Sequence, residues 1–215
     1  MPAATGPGGL AGARHQHRID ARRLIYLHGF RSSPASFKAG LLRNWFEQRG
    51  LGGRFVCPQI PVAPREAIRT LERDLRLTAH DALVGSSLGG LYAHCLAEAH
   101  GCRAVLLNPA VHPSRDLARF IGTVQAWHSE TSFDWRSDDV EALRELESIP
   151  VSNPARYLLV AATGDEVIDW RTMTARYAGC GHIIVDGSNH ALDLFENYLE
   201  RVIRFAQLAL PAPSD

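Results

Sequence analysis

Short, unbroken apolar runs alternate with longer amphipathic stretches along most of this chain. "LIYLH" (24–28) is apolar and β-rich, and "SSPASFKAGLLRNWFEQRG" behind it puts Phe37, Leu41, Leu42, Trp45 and Phe46 on one helical face. Ser33 as N-cap, Pro34 at the first helical position and Gly50 past the end frame that helix. The unit then recurs. "RFVCP" precedes a helix from Pro64 with Ile68, Leu71 and Leu75 aligned, and "ALV" (82–84) precedes a helix from Leu88 with Leu91, Tyr92, Cys95 and Leu96 aligned; "RAVLLN" follows. Later, "YLLVAA" (157–162), a helix around 170–178, the strand "HIIVD" and a long final helix after His190, carrying Leu194, Phe195, Tyr198, Val202 and Phe205, complete the series. Continuously apolar strands between amphipathic helices predict an α/β fold: a mainly parallel sheet of about six strands, covered by helices on both faces.

Two segments depart from this rhythm. Residues 1–22, opening "MPAATGPGGLAGARHQHR", have no periodicity and too little apolar surface to offset the entropy of ordering, so they are expected to form a disordered tail before a single domain over 23–210. Residues 112–153 contain the irregular aromatic stretch "FIGTVQAWHSETSFDWRSDD" and then a short helix near Asp138, which reads as a small cap-like insertion after the fourth strand.

Composition narrows the function. Lys+Arg and Asp+Glu are equal at 23 each, so no overall field favours nucleic acid or an anionic membrane, and a small-molecule substrate fits better. Cys57, Cys95, Cys102 and Cys180 show no C-x-x-C spacing, and the histidines no H-x-x-x-H pair. A reduced, cytoplasmic setting without structural zinc follows as the expectation. No run approaches the length of about 18 apolar residues that a membrane span needs.

The chemistry centres on "LVGSSLGG" (83–90). A G-x-S-x-G pattern arises by accident in roughly one chain in ten of this length, so position must decide. Here the serine sits where a predicted strand meets a predicted helix, in the turn that holds a serine hydroxyl clear of the backbone. Ser87, with Gly85 and Gly89, fits the register; counting from Ser86 puts Val84 and Leu88 where glycines are required. A serine needs a base, and usually an acid to orient it. "AATGDEVID" places Asp165 just past one strand, and "DGSNHAL" places His190 just past the last, both at the sheet edge where ligands bind in open α/β sheets. Glu166 and Asp169 stand close by as alternative acids, Asp169 reading better as a helix cap. "LHGFRSS" follows the first strand, where Phe30 N–H and Leu88 N–H would make an oxyanion hole. His28 reads as a structural residue holding that loop. Arg31, Trp127 and Phe133 are candidate substrate contacts, Phe120 and Trp135 either line an acyl pocket with them or pack the insertion.

With those residues in view, "YLHGF", "SSP.S.KA", "GSSLGG", "NPAV", "TGDEV" and "NHA" together resemble the YqiA-like esterases of the α/β-hydrolase superfamily, over about residues 24–206. The resemblance implies a compact hydrolase lacking the superfamily's first antiparallel strands, acting on carboxylic esters and acyl thioesters such as acyl-CoA. Carried over by motif, Ser87, Asp165 and His190 are its triad, with Phe30 and Leu88 at the oxyanion.

The expectation is therefore a serine esterase or thioesterase that works through an acyl-enzyme and needs no cofactor or metal. The alternative is a hydrolase fold used as a ligand- or partner-binding module. Acyl-chain length, leaving group, oligomeric state and any lid motion of 112–153 are not legible in the sequence.

Overall fold

The structure, a computed structural model, describes residues 23–125 and 132–206; the expected tail, the candidate contact Trp127 and the end of the expected domain lie outside the described residues. The chain runs β1 (Arg23–Leu27), α1 (Phe37–Glu47), β2 (Phe55–Val56), α2 (Pro64–Leu75), β3 (Asp81–Ser86), α3 (Leu88–His100) and β4 (Arg103–Leu107). It continues through α4 (Pro113–Leu117), β5 (Gly122–Gln125), β6 (Ser132–Trp135), α5 (Ser137–Glu147), β7 (Tyr157–Ala162), α6 (Trp170–Arg176), β8 (Gly181–Val185) and α7 (Leu199–Ala206).

Six strands form one parallel sheet in the order β2-β1-β3-β4-β7-β8. The period of two explains why they read as unbroken apolar runs. Leu24, Tyr26, Val84, Val105, Leu107 and Val160 face α1 and α7, while Ile25, Leu27, Leu83, Leu106 and Leu159 face α2, α3, α5 and α6. Each such side chain taken fully out of water contributes about 1.5–3 kcal/mol, so neither face of the central strands tolerates a polar residue cheaply. The order reverses at β1, which lies between β2 and β3, and the carboxyl ends of β1 and β3 therefore border the crevice in which α/β sheets bind ligands.

Three local expectations are corrected. Helix α1 starts at Phe37, not Pro34, because residues 33–36 close a separate turn: Ser36 N–H donates to Ser33 O at 3.1 Å, and Ser33 Oγ accepts from Ala35 N–H. The irregular aromatic stretch contains an antiparallel hairpin, β5 with β6, pairing Gly122 with Trp135. The long helix expected directly after His190 is broken: Leu192 takes φ 51°, a 3₁₀ turn covers Phe195–Tyr198, and only then does α7 begin. Phe195 is fully buried in that 3₁₀ turn, so the apolar spacing expected of one helix runs across two elements.

Two histidines in the core carry a pH consequence. His94, on α3, donates from Nε2 to Ile149 O at 3.0 Å, while its Nδ1 has no partner among the described residues. Burial holds both His94 and His28 below the ordinary 6.5. The unfolded chain binds these two protons near 6.5 and the folded protein only at lower pH, so stability present above that value is lost as pH falls through it. Thermal unfolding from about pH 7.5 to about pH 5 is expected to show the fall, and His94→Gln to flatten it in part. A melting temperature indifferent to pH over that range contradicts it.

Candidate active site

Ser87 stands between β3 and α3 with φ 55° and ψ −122°, a conformation that L side chains rarely adopt. The surrounding backbone holds it there: Ser87 N–H donates to Leu107 O, and Ser87 O accepts from both Gly90 and Ala110 N–H, all at 2.9–3.0 Å. The flanking glycines follow from contact distances. A Cβ on Gly85 would lie 2.1 Å from Gly89 O, and one on Gly89 would lie 2.1 Å from Leu27 O. Both obstacles are backbone, so relief requires β1 or α3 to move. Gly89→Ala is accordingly expected to cost about 3 kcal/mol or more in denaturant unfolding. A cost under about 1 kcal/mol would show that β1 and α3 are not packed backbone to backbone.

His190 and Asp165 come from loops after β8 and β7 and meet Ser87 at the same sheet edge. His190 Nδ1–H donates to Asp165 Oδ2 at 2.8 Å, and His190 Nε2 accepts from the Ser87 hydroxyl at 3.1 Å. The carboxylate, which only accepts, fixes that tautomer. Asp165 has no exposed side-chain surface, and its Oδ1 accepts from Val167 and Ile168 N–H, each at 2.8 Å, so both oxygens are aimed. The neighbouring acids do other work. Glu166 accepts from the backbone N–H of His190 and Asp169 caps α6 through Arg171 N–H, so neither reaches the imidazole ring.

The His190 loop has no ladder of its own, and two side chains distant in sequence hold it. Asn108, fully buried at the end of β4 with φ 42°, donates from Nδ2 to Asn189 O and His190 O and accepts at Oδ1 from Ala162 N–H. One amide thus spans the strand end that carries Asp165 and the loop that carries His190. Lys38, the chain's single lysine, donates to Ala191 O at 2.5 Å. Burial pulls its ammonium down to about 8, with Asp165 acting in the opposite sense. Neither residue was singled out for the site from sequence. Both stand in motif segments, "NPAV" and "SSP.S.KA", and their partners lie 54 or more positions away.

Beside Ser87 opens a cleft of ≈ 210 Å³, walled by Phe30, Leu88, Ile60, Tyr92 and Phe133, with Arg31 also in its lining. Among the described residues, the N–H groups of Phe30 and Leu88 take part in none of the turn, loop or cap hydrogen bonds, as oxyanion donors require. The loop that carries Phe30 presses close: a Cβ on Gly29 would lie 3.1 Å from Ser87 Cβ. His28 ties it to the next connection, accepting at Nε2 from Ile60 N–H at 3.3 Å with Nδ1 against Gly29 O. A second hollow, ≈ 310 Å³ between α2 and α5 beside Arg65, Arg69 and Glu145, contains no nucleophile paired with a base. All four cysteines are free, and burial pushes their thiols up to about 11 or 12, away from thiolate chemistry. Among the described residues no group of His, Cys, Asp and Glu is arranged to hold a metal ion, and no helix is long and apolar enough to cross a membrane.

The model of the family described as "Uncharacterised protein family (UPF0227)" matches residues 23–207, a span that takes in every described residue. The chain belongs to UPF0227, the YqiA-like family. Solved structures agree with UPF0227 membership in fold. Est1E from Butyrivibrio proteoclasticus, with ferulic acid bound, superposes at TM-score 0.57 with 14% identity, over 90% of this chain and 89% of its own. Mouse alpha/beta hydrolase domain-containing protein 10 gives 0.61 and 15%, over 84% and 89%; the monoacylglycerol lipase of Paleococcus ferrophilus gives 0.55 and 15%, over 87% and 95%. At these identities the likeness establishes the α/β-hydrolase fold of this UPF0227 member.

Proposed function

We propose that this UPF0227 protein is a serine esterase or thioesterase acting on carboxylic esters or acyl-CoA-type thioesters through Ser87, His190 and Asp165. The observation that carries the reading is the continuous hydrogen-bonded chain from the Ser87 hydroxyl through His190 to the buried Asp165 carboxylate, with Ser87 held in a strained strand-to-helix turn. Names among proteins of like fold, a monoacylglycerol lipase and an alpha/beta hydrolase domain-containing protein, support it at the level of reaction class.

Ser87 Oγ bonds the acyl carbon as its proton passes to His190 Nε2. The negative charge that develops on the carbonyl oxygen falls to the N–H groups of Phe30 and Leu88. The bond to the leaving oxygen or sulfur then breaks, and the proton on Nε2 goes to that atom as the alcohol or thiol departs. Water repeats the sequence: it gives a proton to Nε2, its oxygen bonds the acyl carbon, and the proton returns to Ser87 Oγ as the acid leaves. Asp165 holds the imidazolium throughout and keeps its own charge. No step calls on a cofactor. Arg31 and Phe133, in the cleft lining, are proposed to contact substrate. The four free cysteines support action in a reducing compartment such as the cytoplasm.

Hydrolysis of p-nitrophenyl esters from acetate to palmitate, beside acyl-CoA thioesters of matching length, tests the reaction class. Turnover in either series, saturating with substrate, is the expected result, and the relative kcat/KM values identify the leaving group. No turnover across both series overturns the reading in favour of a binding module.

A further inference from the structure

We infer that the insertion after β4 is part of the oxyanion machinery, a socket that positions Phe30 N–H, rather than a lid that covers the cleft from outside. This rests on the esterase reading above, in which Phe30 and Leu88 supply the two oxyanion donors.

The two donors are held very differently. Leu88 is buried and begins a thirteen-residue helix whose first half packs into the core. Phe30 lies in an irregular loop next to Arg31, whose φ of 62° is costly for a residue with a side chain. The insertion grips the loop there. The Phe30 ring sits among three aromatic rings, with centroids at 5.0 Å to Trp135, 5.7 Å to Phe133 and 5.9 Å to Phe120, the first two edge-on. One residue on, Arg31 Nε donates to Gln125 O on β5 at 2.6 Å. The socket is itself anchored, since Trp135 is 1% exposed and its Nε1–H donates to Leu117 O at 3.1 Å. A shift of the hairpin therefore drags Phe30 N–H away from the point where charge develops.

Trp135 makes the test clean, because it touches Phe30 without lining the cleft. Trp135→Leu, Trp135→Phe and Phe120→Leu are compared with the parent, active sites being counted by fluorophosphonate titration and folding by thermal melts. Per active site, Trp135→Leu and Phe120→Leu are expected to lose about tenfold in kcat on a short ester with KM within about twofold, and Trp135→Phe, which keeps a ring against Phe30, to lose less. A trifluoromethyl ketone, which forms an oxyanion on the serine, is expected to lose affinity by the same factor, while the corresponding carbinol does not. If Trp135→Leu does not fold, Phe120→Leu, at a half-buried position, decides. Unchanged kcat per active site overturns the proposal, as does a change confined to KM and chain-length preference, the signature of a lid. A parent that neither turns over nor labels refutes the esterase reading itself, and this inference with it.

Discussion

Ser87→Ala is expected to lower kcat/KM for an activated ester by about 10⁴-fold or more while the protein folds as before. The chemical part follows from the site. No other hydroxyl or thiol among the described residues is hydrogen-bonded to a histidine, Ser114 and Ser188 bonding carboxylates instead, and the cysteine thiols are held protonated by burial. The structural part follows from how little the hydroxyl does for the fold. Its hydrogen bond is to His190 Nε2, its side chain does not cap α3, and the turn is held through the backbone of residue 87. Alanine keeps the Cβ and the strain alike, so stability should change by less than about 1 kcal/mol. Parent and variant are compared by steady-state kinetics and by denaturant melts. Retained turnover with a normal melt would remove Ser87 from the reaction.

Asp165→Asn comes next in size, at about 10³- to 10⁴-fold in kcat. The carboxylate accepts three N–H groups, from His190, Val167 and Ile168. Asparagine has one oxygen for these three donors. If that oxygen stays with the two backbone N–H groups, the amide NH₂ faces His190 Nδ1 and forces the proton to Nε2, where it blocks acceptance from Ser87. If the amide turns, the N–H groups of exposed Val167 and buried Ile168 both meet an NH₂, and the Ile168 one costs about 1–3 kcal/mol. Either outcome costs activity or stability, and kinetics with melts separate them. A loss of less than about tenfold in kcat would mean that another acid orients the histidine, and Glu166, already bonded to His190 N–H, would be the first to examine.

The contrast between what the sequence made legible and what it hid is physical. The four central strands, β1, β3, β4 and β7, were visible because burial on both faces leaves each one apolar at successive positions, and the half-covered edge strands β2 and β8 were visible from short apolar runs alone. Gly85 and Gly89 chose Ser87 over Ser86, and the structure shows why in two approaches of 2.1 Å. Asp165 and His190 were legible because a chain that leaves a parallel strand must emerge at the same edge of the sheet as its neighbours. Asn108 and Lys38 were not, because a side chain that holds a remote loop leaves no local periodicity. The β5–β6 hairpin was hidden for another reason: its polar positions mostly face out, with only Val124 and Trp135 buried, so its alternation is too weak to separate from an irregular segment. The break before α7 was masked by Phe195, which continues the helical spacing through a turn that the His190 loop requires.

Reaction of the intact protein with a fluorophosphonate, followed by peptide mapping, probes the Ser87–His190 pair most directly. The reagent needs a serine whose proton a neighbouring base removes, so it reports the Ser87–His190 contact itself rather than any chosen substrate. Stoichiometric modification confined to Ser87, abolished by His190→Ala and reduced by Asp165→Asn, is expected. An unmodified protein, or a label on Ser86 or Ser188 instead, would contradict the assignment of Ser87 as nucleophile.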